Sequence, residues 1–220
     1  MRLKTLCMLV LAALMLLGAA SAEPEQRYEA LTQQAGLNST DLCAWLEIPG
    51  AGLTLPVMQH ASDDAFYLKH NAFGAEDAAG ALYTEKTYNS RDFSDPVTVV
   101  YGIRRNDGSM FGSLQQWYSG DFDAHETIVL HLPGETRTYT AFAAVPYSSM
   151  HLLYYNDFHF AQMYTRFVEG VYAVRRPGVK LLENRKPEVG ERLIILSTSL
   201  RGDASQRYLV IAKEDKSENQ

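Results

Sequence analysis

The sequence predicts a mainly β domain: a closed or nearly closed barrel of short strands, with one N-terminal helix and one longer helix inserted before the last strands. Three observations carry this expectation. Many short segments rich in β-branched and aromatic residues are punctuated by Gly, Pro and Asn. Only one stretch, near 160–175, holds a helical apolar period over several turns. The composition of the 220 residues, 46% hydrophobic and 21% charged with 13 Tyr and 9 Phe, is that of one folded domain with a sizeable core.

The elements follow in order. Arg2 and Lys4 precede an apolar run from Leu6 to Leu17, and Ala20-Ser21-Ala22 forms an A-x-A site that places cleavage before Glu23. Residues 1–22 therefore read as an export signal, with an uncleaved signal anchor as the alternative, although the run is short for a bilayer span. The expected location is extracytoplasmic, secreted or cell-surface associated, with membrane contact only through this segment. Residues 23–213 would form the barrel domain and 214–220 a polar, frayed tail. Tyr28, Leu31 and Ala35 recur at helical spacing, and Gly36 and Asn38 would stop that helix.

Strands are expected at Ala44–Ile48, Thr54–Gln59, Ala81–Thr84 and Val97–Tyr101. A short helix is expected over Met110–Tyr118 with Ser109 as its N-cap. Thr127–Leu132 and Thr138–Val145 flank Pro133-Gly134-Glu135, a hairpin turn. The long helix is expected from about Phe160 to Arg175, capped at Asp157, with Phe160, Met163, Tyr164, Phe167, Val171 and Val174 on its apolar face. Arg192–Thr198 and Tyr208–Lys213 read as the last strands, joined by a loop.

Charge and side-chain chemistry exclude several classes. The formal net charge is −6 and no basic block is present, so nucleic acid is not an expected partner. No His/Glu spacing resembles a metal site and no cofactor motif appears. Of two cysteines, Cys7 lies in the signal, so Cys43 would be the one thiol of the processed chain; its apolar neighbours predict a buried, inert side chain. Arg201-Gly202-Asp203 spells a short integrin-recognition string of a kind that recurs by chance, and Asn38-Ser39-Thr40 fits the N-glycosylation pattern, which matters only in a eukaryotic secretory host.

Two segments end a buried strand in polar residues, where active-site loops are commonly built. One is Val99-Val100-Tyr101-Gly102-Ile103-Arg104-Arg105-Asn106-Asp107-Gly108-Ser109-Met110-Phe111; the other is Leu193-Ile194-Ile195-Leu196-Ser197-Thr198-Ser199, followed by Gln206-Arg207-Tyr208. They resemble the signature blocks of class B sortases, the bacterial surface transpeptidases, which read roughly Y-G-H-x-x-x-D-x-x-M-F and L-S-T-C with an Arg opening the last strand. Asp41 to Gly50 resembles the family's early D-x-x-x-W-x-x-I-P segment, and Pro56-Val57-Met58-Gln59 and Phe66-Tyr67-Leu68 match the elements that follow. The resemblance covers nearly all of 26–213 in order, and it implies a sortase-type closed β-barrel whose inserted long helix is the class B feature.

The departures fall on the chemistry. The family's catalytic Cys position is Ser199 and its His position is Ile103, whereas Arg207 matches the retained third residue. Turnover by thiolate attack needs a thiol and a proton shuttle, and Ile103 has no titratable group. The resemblance thus implies a degenerate enzyme acting as a surface peptide-binding, cell-wall-binding or assembly module, with a surface protein or pilin assembly as its setting. The alternatives are an acyl transferase or hydrolase using Ser199 with an unrecognised base, and a purely structural surface component. His151 and His159, which precede the long helix, are the histidines that could fold over the site. Arg104, Arg105, Arg201 and Thr198 join Arg207 as candidate ligand contacts, and the arginines favour an anionic ligand unless nearby carboxylates such as Asp107 and Asp203 neutralise them.

Overall fold

A computed structural model describes residues 26–216 of the chain. The expected export signal, Cys7 and the end of the polar tail lie outside the described residues. Among the described residues, no helix is long and apolar enough to cross a membrane.

Helix α1 (Arg27–Ala35) leads into β1 (Leu42–Ile48) and β2 (Leu53–Met58). The indole of Trp45 in β1 donates to Thr32 Oγ1 of α1 at 3.0 Å, the Tyr28 hydroxyl donates to Leu42 O at 3.4 Å, and Leu31 is buried, so the helix is fastened to the strand by hydrogen bonds and apolar burial. Then come β3 (Leu82–Tyr83), β4 (Val97–Tyr101), α2 (Leu114–Ser119), β5 (Thr127–Leu132) and β6 (Glu135–Ser148). After α3 (Leu152–Tyr155) and α4 (Ala161–Tyr172), β7 (Lys180–Leu181), β8 (Leu193–Leu200) and β9 (Asp203–Glu214) complete the chain.

The strands hydrogen-bond in the order β5-β1-β2-β3-β4-β8-β9-β6, and β6 pairs back to β5, which closes an eight-stranded barrel; β7 adds to β6 outside the ring. Closure removes the unpaired strand edges that otherwise invite association. Pairs β2–β3 and β4–β8 are parallel, and the other pairs are antiparallel.

Two hydrophobic layers stabilise the barrel. Leu46, Ile48, Val57, Val100, Ile128, Leu130, Ile194, Leu196 and Val210 fill the interior. Val97, Val99, Tyr101, Leu193, Ile195, Leu209 and Ile211 point outward beneath Tyr164, Phe167, Val168, Val171 and Tyr172 of α4. Strands β4, β8 and β9 are therefore buried on both faces, which is why their sequences read as unbroken apolar runs rather than as alternation.

Several expected boundaries move. The helix expected at Met110 begins at Leu114, because Met110 sits at φ +54° and pairs with Arg104 in an isolated bridge instead of entering a helix. Ser109 hydrogen-bonds to Asp107 and caps nothing. Helix α4 starts at Ala161: Asp157 caps the preceding turn by accepting from the N–H of His159, and Phe160 is 64% exposed, off the packed face. The loop expected between the last strands is a hairpin. Leu200 pairs with Asp203 across Arg201-Gly202, with Gly202 at φ +85°, and residues 204–206 bulge from β9 before Arg207 pairs with Ser199. Strand β9 runs on through Glu214, and Thr140 donates to Asp215 at 2.7 Å, so the start of the polar tail is tied down.

Candidate functional site

Parallel pairing of β4 with β8 brings the two signature blocks to one place. Tyr101 pairs with Ser197, and the next N–H, that of Gly102, donates to Ser197 O at 3.1 Å. A side chain on Gly102 would lie 2.5 Å from the Phe111 ring and 2.6 Å from Leu82, so the close approach of this turn to the barrel requires glycine. Ile103 O accepts from Phe111 N at 3.1 Å, folding the segment back on itself. Asp107 holds the turn: it accepts from Arg105 at 2.8 Å, from Ser109 N at 3.0 Å and from Ser109 Oγ at 2.6 Å. The Arg105 and Ser109 bonds keep its carboxyl well below the usual carboxylate range.

Two of the three positions marked by the sequence, Ser199 and Arg207, share the outward face of β8 and β9. Ser199 and Arg207 are direct cross-strand partners on β8 and β9. Ile103 lies two residues past the end of β4, in the turn, and packs toward Gly80. Arg207 is half-buried, its guanidinium carbon 5.9 Å from the centre of the Tyr101 ring, and among the described residues it has no hydrogen-bond or ion-pair partner. It lines a cavity of about 60 Å³ with Tyr101, Ser197, Ser148 and His151.

The other expected contacts do not converge there. Thr198 alternates with Ser197 and Ser199, is 0% exposed, and shares the inward face with Leu196; its side chain cannot meet a ligand in the outer cleft. Arg104 donates to Asn106 at 3.1 Å, and Arg105 is committed to Asp107. Arg201 is exposed on the β8–β9 turn, its backbone N–H donating to Gln115 Oε1. The expected group of four arginines thus reduces to Arg207 at the cavity.

Sequence reading left unpaired one contact that the fold makes. His151 Nε2 lies 2.8 Å from Glu85 Oε2, and the imidazole packs on the Tyr88 ring at 4.7 Å. Burial pushes the Glu85 carboxyl above its ordinary range, with His151 acting in the opposite direction. Burial likewise raises Tyr101, and Glu85 adds to that shift. His151 Nδ1 accepts the N–H of Tyr154 at 3.1 Å and caps α3. With Nδ1 accepting that N–H and Nε2 lying against Glu85, both ring nitrogens are engaged within the fold and neither is free to deprotonate a serine. His159, 70% exposed at its side chain, is paired with Asp157 at 3.0 Å. The Glu85–His151 contact spans 66 residues of sequence, a separation at which no local pattern announces a pair.

Cys43 is fully enclosed. Its Sγ donates to Val57 O at 3.1 Å, and burial pushes the thiol up to about 12. A larger cavity, about 450 Å³, lies between the β6–α3 segment and α4; Tyr147, Ser148, Met150, His151 and Leu152 form a wall shared with the Arg207 cavity.

No family model matches the chain. Sortase B of Listeria monocytogenes is 29% identical over 158 residues, a match covering 72% of this chain and 62% of that protein. The crystal structure of sortase B from Bacillus anthracis in complex with AAEK1 superposes with a TM-score of 0.69 at 26% identity, covering 86% of this chain and 83% of that one. The chain is sortase B-like in sequence and in fold. A Staphylococcus aureus sortase B–substrate complex shares the fold, with a TM-score of 0.72 at 21% identity over 92% of this chain and 90% of that one. On this sortase B-like barrel the matched motifs lie where β4 and β8 end, and Ser199 and Ile103 stand at the positions that the motif resemblance assigns to Cys and His.

Proposed function

We propose that this exported, sortase B-like protein is a peptide-binding module of the cell surface that does not carry out transpeptidation. The observation that carries the reading is the contrast at the site: Ser199 and Ile103 stand at the positions the resemblance assigns to a nucleophile and a proton shuttle, while Arg207 lines the outer cleft with no hydrogen-bond or ion-pair partner among the described residues. A serine hydroxyl needs an adjacent base to attack a carbonyl. Loss of general acid–base catalysis alone removes about 10²–10⁴-fold in rate. Neither nitrogen of His151 is free to serve, so the Ser199 hydrolase alternative gains no support from the histidine that reaches the cleft.

Binding needs less than catalysis. A half-buried guanidinium offers several donors in a fixed fork, suited to peptide carbonyls or carboxylates. Titration calorimetry of the folded protein with a sorting-type peptide should show binding that Arg207→Ala weakens. Mass spectrometry of the same mixture should show the peptide uncut. Cleavage of the peptide that disappears in Ser199→Ala would overturn the non-catalytic reading, and absence of binding to any peptide would overturn the binding role.

A further inference from the structure

Two cavities share the Tyr147–Leu152 wall, and their charge is one-sided. Their charged lining residues are Arg207 in the smaller and Arg166 of α4 in the larger, and no Asp or Glu lines either cavity. The chain as a whole has 26 Asp and Glu against 20 Lys and Arg, so an acid-free cleft runs against its composition. Arg105, Arg137, Arg185 and Arg192 all have carboxylate partners, whereas Arg166 and Arg207 have no hydrogen bond or ion pair among the described residues. Glu85, behind the wall, is faced by His151 at 2.8 Å.

Apart from Arg166, the larger cavity is lined in good part by apolar and aromatic side chains, among them Tyr147, Met150, Tyr155, Met163 and Phe167. Its volume, about 450 Å³, falls within the range of about 300–1,000 Å³ usual for ligand sites. We infer that the ligand is an acidic peptide: an apolar middle against the shared wall, one carboxylate on Arg207 and a second on Arg166. This rests on the peptide-binding reading and specifies its ligand class. Charge complementarity carries it, because a guanidinium and a carboxylate form the stronger, charge-assisted kind of hydrogen bond, and Arg207 is half-buried.

Two capped synthetic tetrapeptides test it, Glu-Ala-Ala-Glu and its neutral twin Gln-Ala-Ala-Gln, titrated into the protein at low salt. The acidic peptide should bind about tenfold or more tightly than the twin, and the advantage should shrink as salt screens it. Arg166→Gln, on an exposed position of α4, should remove part of the advantage without affecting the fold. Arg207→Gln should remove more, with Arg207→Lys, which keeps the charge, retaining an intermediate share. Equal binding of the two peptides would overturn the acidic preference and leave peptide binding standing. Binding of neither would overturn both readings.

Discussion

The inward face of β8 and β9 carries Ile194, Leu196, Thr198, Tyr208, Val210 and Ala212, each 0% exposed. The outward face of the same strands, one residue out of step, carries Ser197, Ser199 and Arg207 beside Ile195 and Leu209. Side chains alternate across a strand, so the two sets belong to different problems. The inward set closes the barrel, and any change of volume there is felt by its neighbours. The outward set, near the ends of β8 and β9, holds the positions where chemistry would sit. A thiol and an imidazole can be absent from the second set at little cost to the first, so the scaffold stays recognisable whatever stands at those positions.

The sharpest test of that contrast uses two thiols on the two faces. Cys43 belongs to the interior layer, and burial raises it from 9.0 to about 12. Three units leave about a thousandfold less thiolate near neutral pH, before any loss of access is counted. The folded wild type should therefore resist alkylation by iodoacetamide, and the Ser199→Cys variant should gain one rapidly alkylated site. Because the folded thiol holds its proton more tightly than the unfolded one, its share of stability is full below about 9.0 and is lost as pH rises toward about 12. Equal labelling of the two thiols at pH 8, read by mass spectrometry of native protein, would break the distinction between the faces.

Next in size is a change of volume in the interior. Leu196 is 0% exposed, and Leu196→Ala should cost about 2–5 kcal/mol in urea unfolding. A cost below about 1 kcal/mol would mean that the inward face is not the close-packed layer described.

This division also explains what was legible in the sequence. The apolar runs at Val97–Tyr101 and Leu193–Leu196 announce strands because both their faces are covered, and the turn at Pro133-Gly134 announces a hairpin because Gly134 takes φ +82°. The motif positions Ile103, Ser199 and Arg207 were readable from the resemblance. The length of β9 was not, because Arg201-Gly202-Asp203 and the bulge that follows read as a polar loop while the backbone pairs as strand. The inward direction of Thr198 follows from strand alternation and could have been inferred beside Ser197 and Ser199. Non-local pairings, such as Glu85 with His151 and the shared cavity wall, depend on tertiary packing and leave no period to detect.

A smaller effect on stability is expected where the outer positions are restored. Ser199→Cys with Ile103→His should shift stability by no more than about 1 kcal/mol, since both positions are only partly buried. If the outer cleft still fits a sorting-type peptide, the double variant should cut that peptide at a rate above wild type, measured by mass spectrometry. A well-folded double variant with no cleavage would place the divergence in the cleft lining as well as in the two residues.

The smallest expected change lies at Thr198, where the two faces meet in one residue type. Its neighbours in the strand, Ser197 and Ser199, point their hydroxyls outward, whereas its own Oγ1 is buried with no partner among the described residues. Tyr208, its cross-strand partner, has a hydroxyl in the same condition. A buried hydroxyl without a hydrogen bond is costly, and a methyl group of the same shape carries no such penalty. Valine also suits a strand interior. Thr198→Val should therefore raise stability by about 0.5–1 kcal/mol in urea unfolding and leave peptide binding in the outer cleft unchanged. A loss of stability would mean that the hydroxyl is hydrogen-bonded in solution, and a loss of binding would mean that Thr198 reaches the outer face after all.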